Sequence, residues 1–188
     1  RLHFTPIENM ATLVSTVNQI LSLLTITAQI LSLGLIIVMV LKMGKALDFV
    51  RKYAVLLSFI VALTATLGSL FYSEIAEFAP CKLCWFERIL IYPQVILLGL
   101  ALLKKNSIAD YILGLSLPGL LITSYHYLLQ LEAVPASSCS VVGYSVSCSQ
   151  KFVMSFGYIT IPLMAFSALL LIILLQLLIK KGYNKTAM

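Results

Sequence analysis

The stretch Pro80–Leu103, PCKLCWFERILIYPQVILLGLALL, decides how this chain is read. It opens with Cys81-Lys82-Leu83-Cys84 and then runs apolar from Trp85 to Leu103. A helix needs roughly 20 apolar residues to cross the hydrocarbon core of a bilayer. Backbone polar groups find no water there, so such a segment is expected to be helical. A Cys-x-x-Cys at its mouth lets two sulfurs meet across one turn and form a redox-active disulfide.

Outward from this stretch, four more segments have the length and apolarity of a span: Ile20–Leu41, Tyr53–Tyr72, Ala109–Leu131 and Tyr158–Ile179. Pro118 and Pro162 fall inside or near the start of spans, where neighbouring helices cover the freed carbonyls. The composition agrees. Of 188 residues, 61% are hydrophobic and 11% charged, against roughly 45–50% and about 25% in soluble domains. The predicted fold class is an all-α membrane protein: a four-helix transmembrane bundle core with one additional N-terminal transmembrane helix. Residues 1–52 are read as that N-terminal helix, a surface part and then the extra span. Residues 53–188 are read as the four-helix domain, with redox loops at 73–84 and 132–157.

The net charge of +6 does not indicate nucleic acid, because no basic run is interleaved with aromatics. The basic residues sit between apolar runs, as topology signals do. Lys42, Lys45, Arg51, Lys52, Lys104, Lys105, Lys180, Lys181 and Lys185 fall on one side; Arg1, Lys82, Arg88 and Lys151 fall on the other. The positive-inside rule places the first set in the cytoplasm with the C-terminus. The N-terminus and all four cysteines are then extracytoplasmic, where disulfides persist. Thr5-Pro6-Ile7-Glu8 reads as an N-cap, a proline at the first helical position and an acid two residues on. A helix from there is expected to run unbroken into the first span. Its early part is too polar for lipid, so it should lie on the outer surface or project beyond it. The chain starts at Arg1. Its first apolar run is too long for the core of a signal peptide and lacks a small-residue cleavage site, so no signal peptide is expected.

The chemistry concentrates at the two cysteine pairs. Cys84 sits where a helix begins, and free amides and the helix dipole there favour a thiolate. Arg88 follows one turn along the same face, placed to stabilise that thiolate or to hold an anionic or carbonyl ligand. Arg88 also reads as a residue that reaches to the headgroups. Cys-x-x-Cys occurs as half of a zinc site or as a structural disulfide as well. Zinc takes four ligands in closed geometry, which Cys139 and Cys148 would have to complete in an oxidising compartment, and no metal is expected. Cys139 and Cys148 lie in a Ser/Pro/Gly-rich loop from Glu132 to Lys151. A disulfide there braces little structure, and in an exposed, mobile loop it is open to thiolate attack. It also reads as a loop staple. His126 lies near the outer end of the fourth span. An ionisable residue in a membrane is a functional candidate, or an interfacial histidine flanked by belt tyrosines. Helix ends are expected to bring His126 and Arg88 into one apolar pocket bounded by Cys84.

At these residues the chain resembles the DsbB family of membrane thiol–quinone oxidoreductases, including its BdbC-type members. Cys81-Lys82-Leu83-Cys84-Trp85-Phe86-Glu87-Arg88-Ile89 is similar to the family's C-x-L-C-[WY]-x-x-R-I pattern. His126 and Gln130, followed by a loop cysteine, are similar to its H-x-x-x-Q. The resemblance covers about Tyr53 to Ile179. It implies oxidation of an extracytoplasmic, thioredoxin-fold partner of the DsbA type in the bacterial inner membrane, with electrons passed to a quinone, ubiquinone or menaquinone. It further implies that the partner attacks Cys139, that Cys148 is its mate, and that Cys81 and Cys84 re-oxidise the loop pair. Cys84 would stand beside the quinone, Arg88 would hold a quinone oxygen, and His126 would border the same ring. The loop between Cys139 and Cys148 is shorter than in enterobacterial members, and the first helix is extra to the family's four.

Two other readings compete. Vitamin K epoxide reductase-like proteins use the same parts, but their loop pair precedes the Cys-x-x-Cys, whereas here it follows. A non-catalytic membrane protein with stapled loops leaves Arg88 and the placement of the Cys-x-x-Cys without a reason.

Overall fold

The computed structural model describes residues 6–104, 108–134 and 147–186. Thr5, Arg1, Lys105 and Cys139 lie outside them. Among the described residues, five helices are long and apolar enough to cross a membrane. They are α1 (Pro6–Val40), α2 (Gly44–Leu70), α3 (Lys82–Lys104), α4 (Ala109–Gln130) and α5 (Ile161–Thr186). The described residues contain no strand, only an isolated bridge between Ser155 and Ile159. As the sequence predicts, α1 starts at Pro6 and continues into the first span without a break.

α5 is the central helix, resting on α4, α2 and α1. Ala62, Leu98, Ile112 and Ile172 join α2, α3, α4 and α5 in one buried cluster. Ala54, Leu171 and Leu175 make a second, against which Ala28 and Leu35 of α1 pack. At Gly119 a Cβ would stand 3.0 Å from Leu169 Cδ1, so this glycine sets how closely α4 approaches α5. Buried polar side chains cross-link the spans. Gln176 Nε2 donates to Ser58 Oγ at 2.8 Å, and Ser116 Oγ donates to Gln94 Oε1 at 3.1 Å. In a membrane such bonds supply part of the attraction between helices that water would otherwise drive, about 0.6 kcal/mol each.

The connections at one end build the site. α2 ends in a π-helical turn, Phe71–Ile75, a geometry often found at functional sites. Glu77 then takes a left-handed φ of 55° and the chain turns toward Cys81. On the far side of α4, Phe156 and Gly157 are also left-handed, with φ of 52° and 77°. They form a turn closed by Ser155 and Ile159. This turn overturns one sequence boundary: Tyr158 belongs to it, and the fifth helix starts only at Ile161. At the opposite end, Lys180 pairs with Asp110 at 2.6 Å and Arg51 donates to the Leu178 carbonyl at 3.3 Å.

Candidate redox site

Cys81 immediately precedes α3 and acts as its cap. Its carbonyl accepts the first helical bond, from the Trp85 amide at 3.3 Å. Its sulfur accepts from the Cys84 amide at 3.4 Å, as a capping side chain does for the third residue of a helix. The two sulfurs are 3.1 Å apart and neither is in a disulfide. The Cys81 thiol is held well below its ordinary value. The Cys84 thiol hydrogen bond is the main cause, opposed by burial and aided by His126. The helix start thus favours an anion at Cys81, where the sequence places it at Cys84. The reason is geometric: the sulfur at the cap accepts chiefly from the Cys84 thiol, and also from His126 and the free Cys84 amide.

His126 is buried on α4 and faces Cys81. Its Nε2 lies 3.7 Å from Cys81 Sγ and 3.1 Å from the Cys148 carbonyl, and its Nδ1 lies 2.8 Å from Glu87 Oε1. A carbonyl only accepts, so Nε2 carries a proton in this arrangement. Nδ1 and Glu87 Oε1 are joined by one hydrogen bond, whose proton belongs to the ring or to the carboxyl according to the tautomer. Glu87 is only 5% exposed. It is a residue that the sequence reading quotes and leaves without a role. Its signal is the rule applied to His126: an ionisable group inside a span has a partner and a purpose.

Cys148 is disulfide-bonded. It is 2% exposed and packs with Cys81 and Leu129. The loop's end is therefore not the exposed feature the sequence suggests. Two bonds tie it down: His126 to the Cys148 carbonyl, and Gln130 Nε2 to the Gln150 carbonyl at 3.0 Å. Cys139 lies outside the described residues. A cavity of about 30 Å³ lies among Cys81, Cys84, His126, Gln130 and Cys148. The two free sulfurs and a His126 ring nitrogen lie within 4.8 Å of one another, one ligand short of a closed structural zinc set.

A second, larger cavity lies between α3 and the helices α1, α2 and α5. It measures about 340 Å³ and is lined by apolar residues of α1, α2, α3 and α5, with Cys84, Glu87, Arg88 and Tyr92 along the α3 wall. Its size falls within the range of small-molecule sites, ~300–1,000 Å³. Arg88 Nε donates to Ser69 Oγ at 3.1 Å, and its Nη2 donates to the Ser69 carbonyl at 3.4 Å. Tyr92 Oη donates to the same Ser69 Oγ at 3.0 Å. The guanidinium also stands 5.4 Å from the centre of the Trp85 ring. Tyr72, Phe78 and Phe152 stack in sequence, with ring centres 5.8 and 4.9 Å apart, and all three line the cleft. An apolar slot with one fixed cation and one thiol suits a flat, apolar molecule bearing carbonyl oxygens. Cys84 and Arg88 share it, as the sequence predicts. His126 does not line it: Glu87 and the Cys148 carbonyl hold its ring on the Cys81 side.

Comparison with known proteins follows the same residues. The family model described as "Disulfide bond formation protein DsbB" matches residues 51–179. A "Probable disulfide formation protein" of Oceanobacillus iheyensis is 43% identical over 129 residues, covering 68% of this chain and 89% of that protein. "Disulfide bond formation protein C" of Bacillus subtilis is 43% identical over 125 residues, covering 65% and 89%. An "SPbeta prophage-derived disulfide bond formation protein B" of the same organism is 45% identical over 109 residues, covering 57% and 72%. No solved structure matches the chain.

Proposed function

The chain belongs to the DsbB family of disulfide bond formation proteins, and on that premise we propose that it is a thiol:quinone oxidoreductase that re-oxidises a DsbA-like, thioredoxin-fold partner. It is a multi-pass membrane protein with an oxidoreductase's chemistry. In the proposed orientation the four cysteines face the extracytoplasmic side of the bacterial inner membrane and the C-terminus faces the cytoplasm. The observation that carries the reading is the position of Cys84: this sulfur touches Cys81 on one side and the apolar cleft with Arg88 on the other.

The proposed relay runs by thiolate attack. A partner thiolate attacks the loop disulfide at Cys139 and displaces the Cys148 thiolate; the partner's second thiolate then attacks its own sulfur in the mixed disulfide, forming the partner's disulfide and expelling the Cys139 thiolate, and the loop is reduced. A loop thiolate next attacks Cys81, the sulfur against which Cys148 packs, and Cys84 leaves as a thiolate into the cleft. Closing the loop disulfide frees Cys81. The Cys84 amide and His126 Nε2–H stabilise the anion formed there, joined by the Cys84 thiol once Cys84 has taken up one of the protons released by the partner's thiols. A bound quinone, ubiquinone or menaquinone, supplies a two-electron, two-proton acceptor. Arg88, fixed by Ser69, would hold one of its oxygens, and the stacked rings of Tyr72, Phe78 and Phe152 would exclude water. The hydrogen bond between Glu87 and His126 keeps Nε2–H directed at Cys81. In sum, two partner thiols and a quinone become a partner disulfide and a quinol.

The test mixes the purified protein with a reduced thioredoxin-fold dithiol oxidase and quinone, and follows quinone absorbance. Thiol-dependent quinone reduction is expected. Its absence, or its survival in Cys84→Ser, overturns the reading.

A further inference from the structure

We propose that α1 is a wall of the quinone site, and that its inner face helps select what enters the cleft. The proposal rests on the reading that the cleft takes a quinone, and goes beyond it, because the matched family region begins at residue 51, after α1 has ended.

The inner face is regular. Leu21, Leu24, Thr25, Ala28 and Leu31 all line the cleft, at the three- and four-residue spacing that puts side chains on one face of a helix. The two threonines at this level, Thr25 and Thr27, turn their hydroxyls onto the Leu21 and Leu23 carbonyls at 2.8 and 2.9 Å. Their hydroxyl protons are satisfied within the helix, so the wall offers the cleft mainly methyl groups and aliphatic chains.

α1 is also docked in a way that leaves the cleft open beside it. It rests chiefly on α5 and touches α2 far less. Gln29 fixes it on the α5 side: its Nε2 donates to Ser167 Oγ at 3.2 Å, and its Oε1 accepts from Tyr158 Oη at 3.2 Å. On the α2 side one contact is Leu21 over Gly68, where a Cβ would stand 3.2 Å from Leu21 Cδ1. Gly68 adjoins Ser69, the residue that orients Arg88. The helix therefore meets α2 next to the guanidinium, and the cavity is lined by both helices. A bundle of α2–α5 alone would leave Arg88 and Cys84 on a groove facing lipid. With α1 in place the groove becomes a slot with Leu24 and Ala28 in its wall. The occupant this geometry fits is a quinone whose ring lies against Arg88 and whose first tail units run along α1.

The chain's single tryptophan, Trp85, lies beside Arg88 and reports on the slot without turnover. Quinones quench indole fluorescence, so titrating the purified full-length protein with a short-tailed ubiquinone or menaquinone analogue yields a Kd. Ala28→Phe narrows the slot and is expected to weaken binding by tenfold or more. Leu24→Ala combined with Leu31→Ala removes wall contacts and is expected to weaken it about fivefold, by loss of buried apolar area. Ile30, 65% exposed and outside the cleft lining, serves as control, and Ile30→Ala is expected to keep the wild-type Kd. If Ala28→Phe fails to fold, the double variant decides. Saturable quenching with the same Kd in wild type and the cleft variants overturns the role of α1 and leaves the quinone reading standing. Quenching that never saturates in the wild type overturns both.

Discussion

The two cavities beside the start of α3 share Cys84, Phe152 and Ile161 as boundary and little else. The outer one is about 340 Å³, walled by aliphatic and aromatic side chains, and carries one fixed guanidinium. The inner one is about 30 Å³, lined by His126, Gln130, Cys148 and the Gln150 segment. The difference separates two tasks. A flat apolar acceptor needs volume, exclusion of water and a cation where its oxygen becomes negative. Sulfur exchange needs close approach, hydrogen-bond donors for the thiolate formed, and almost no empty space. The Cys-x-x-Cys stands on the divide, so electrons cross from one environment to the other through a single pair of sulfurs.

The sharpest way to break this comparison is to remove the shared atom. Cys84→Ser is expected to abolish thiol-dependent quinone reduction while leaving quinone bound, because Arg88 and the cleft walls remain. Activity assays paired with Trp85 quenching check both halves. Retained activity would mean that the outer cavity takes no part. Next comes the cation of the outer cavity. Arg88→Ala is expected to lower turnover by about 10²-fold, the usual cost of deleting a donor aimed at developing charge. Arg88→Lys should recover only part of this, since lysine's compact ammonium lacks the planar fork that spans the Ser69 hydroxyl and carbonyl.

The inner cavity is tested through Cys81. His126→Ala removes a donor from its sulfur, so the Cys81 thiol is expected to titrate at higher pH than in the wild type. The sign follows from the contact: Nε2–H favours the thiolate, and losing it favours the thiol. The rise should be partial, because the larger contribution, from Cys84, is kept. Thiolate absorbance of the fully reduced protein, compared with its Cys81→Ser counterpart, measures it. Glu87→Gln keeps a hydrogen-bonding group but no carboxylate, and is expected to move the same titration less than His126→Ala. Turnover in either variant should fall about tenfold, the scale of one hydrogen bond to a charged group. A Cys81 titration unchanged in both would remove the proton-handling role from this pair.

Much of this arrangement was legible in the sequence, for specific reasons. Apolar length marked all five spans, because nothing else of that composition survives in lipid. The pairing of Cys84 with Arg88 followed from helical spacing alone. What escaped was set by contacts between elements far apart in the chain. The thiolate preference of Cys81 depends on its sulfur facing the Cys84 amide and His126, which spacing does not give. Burial of Cys148 depends on hydrogen bonds from α4 to the loop backbone. Ser69 looks like any serine near a helix end until Arg88 and Tyr92 are seen to converge on it. The inner face of α1 is one stripe on a helix apolar nearly all round, so hydrophobic pattern alone could not single it out. Glu87 is the one omission that the sequence itself could have repaired.

The smallest predicted effect probes how the outer cavity keeps its cation in place. Ser69 Oγ accepts from both Arg88 Nε and Tyr92 Oη. Ser69→Ala deletes that acceptor and leaves the Ser69 carbonyl, which still receives Nη2. The guanidinium keeps one tether and gains freedom to turn toward Trp85. A net hydrogen bond is worth about 1 kcal/mol, or roughly fivefold in an equilibrium. The expected result is a rise of about fivefold in the KM for quinone, with the KM for the partner thiol unchanged, because the inner cavity is untouched. A rise in the partner's KM instead would mean that the two cavities are not separate in function. An equal effect on both would point to a general loosening where α2 meets α3. Tyr92→Phe discriminates further: it removes the second donor to Ser69 while leaving both bonds from Arg88, so it should cost less than Ser69→Ala if orientation of the cation is what matters.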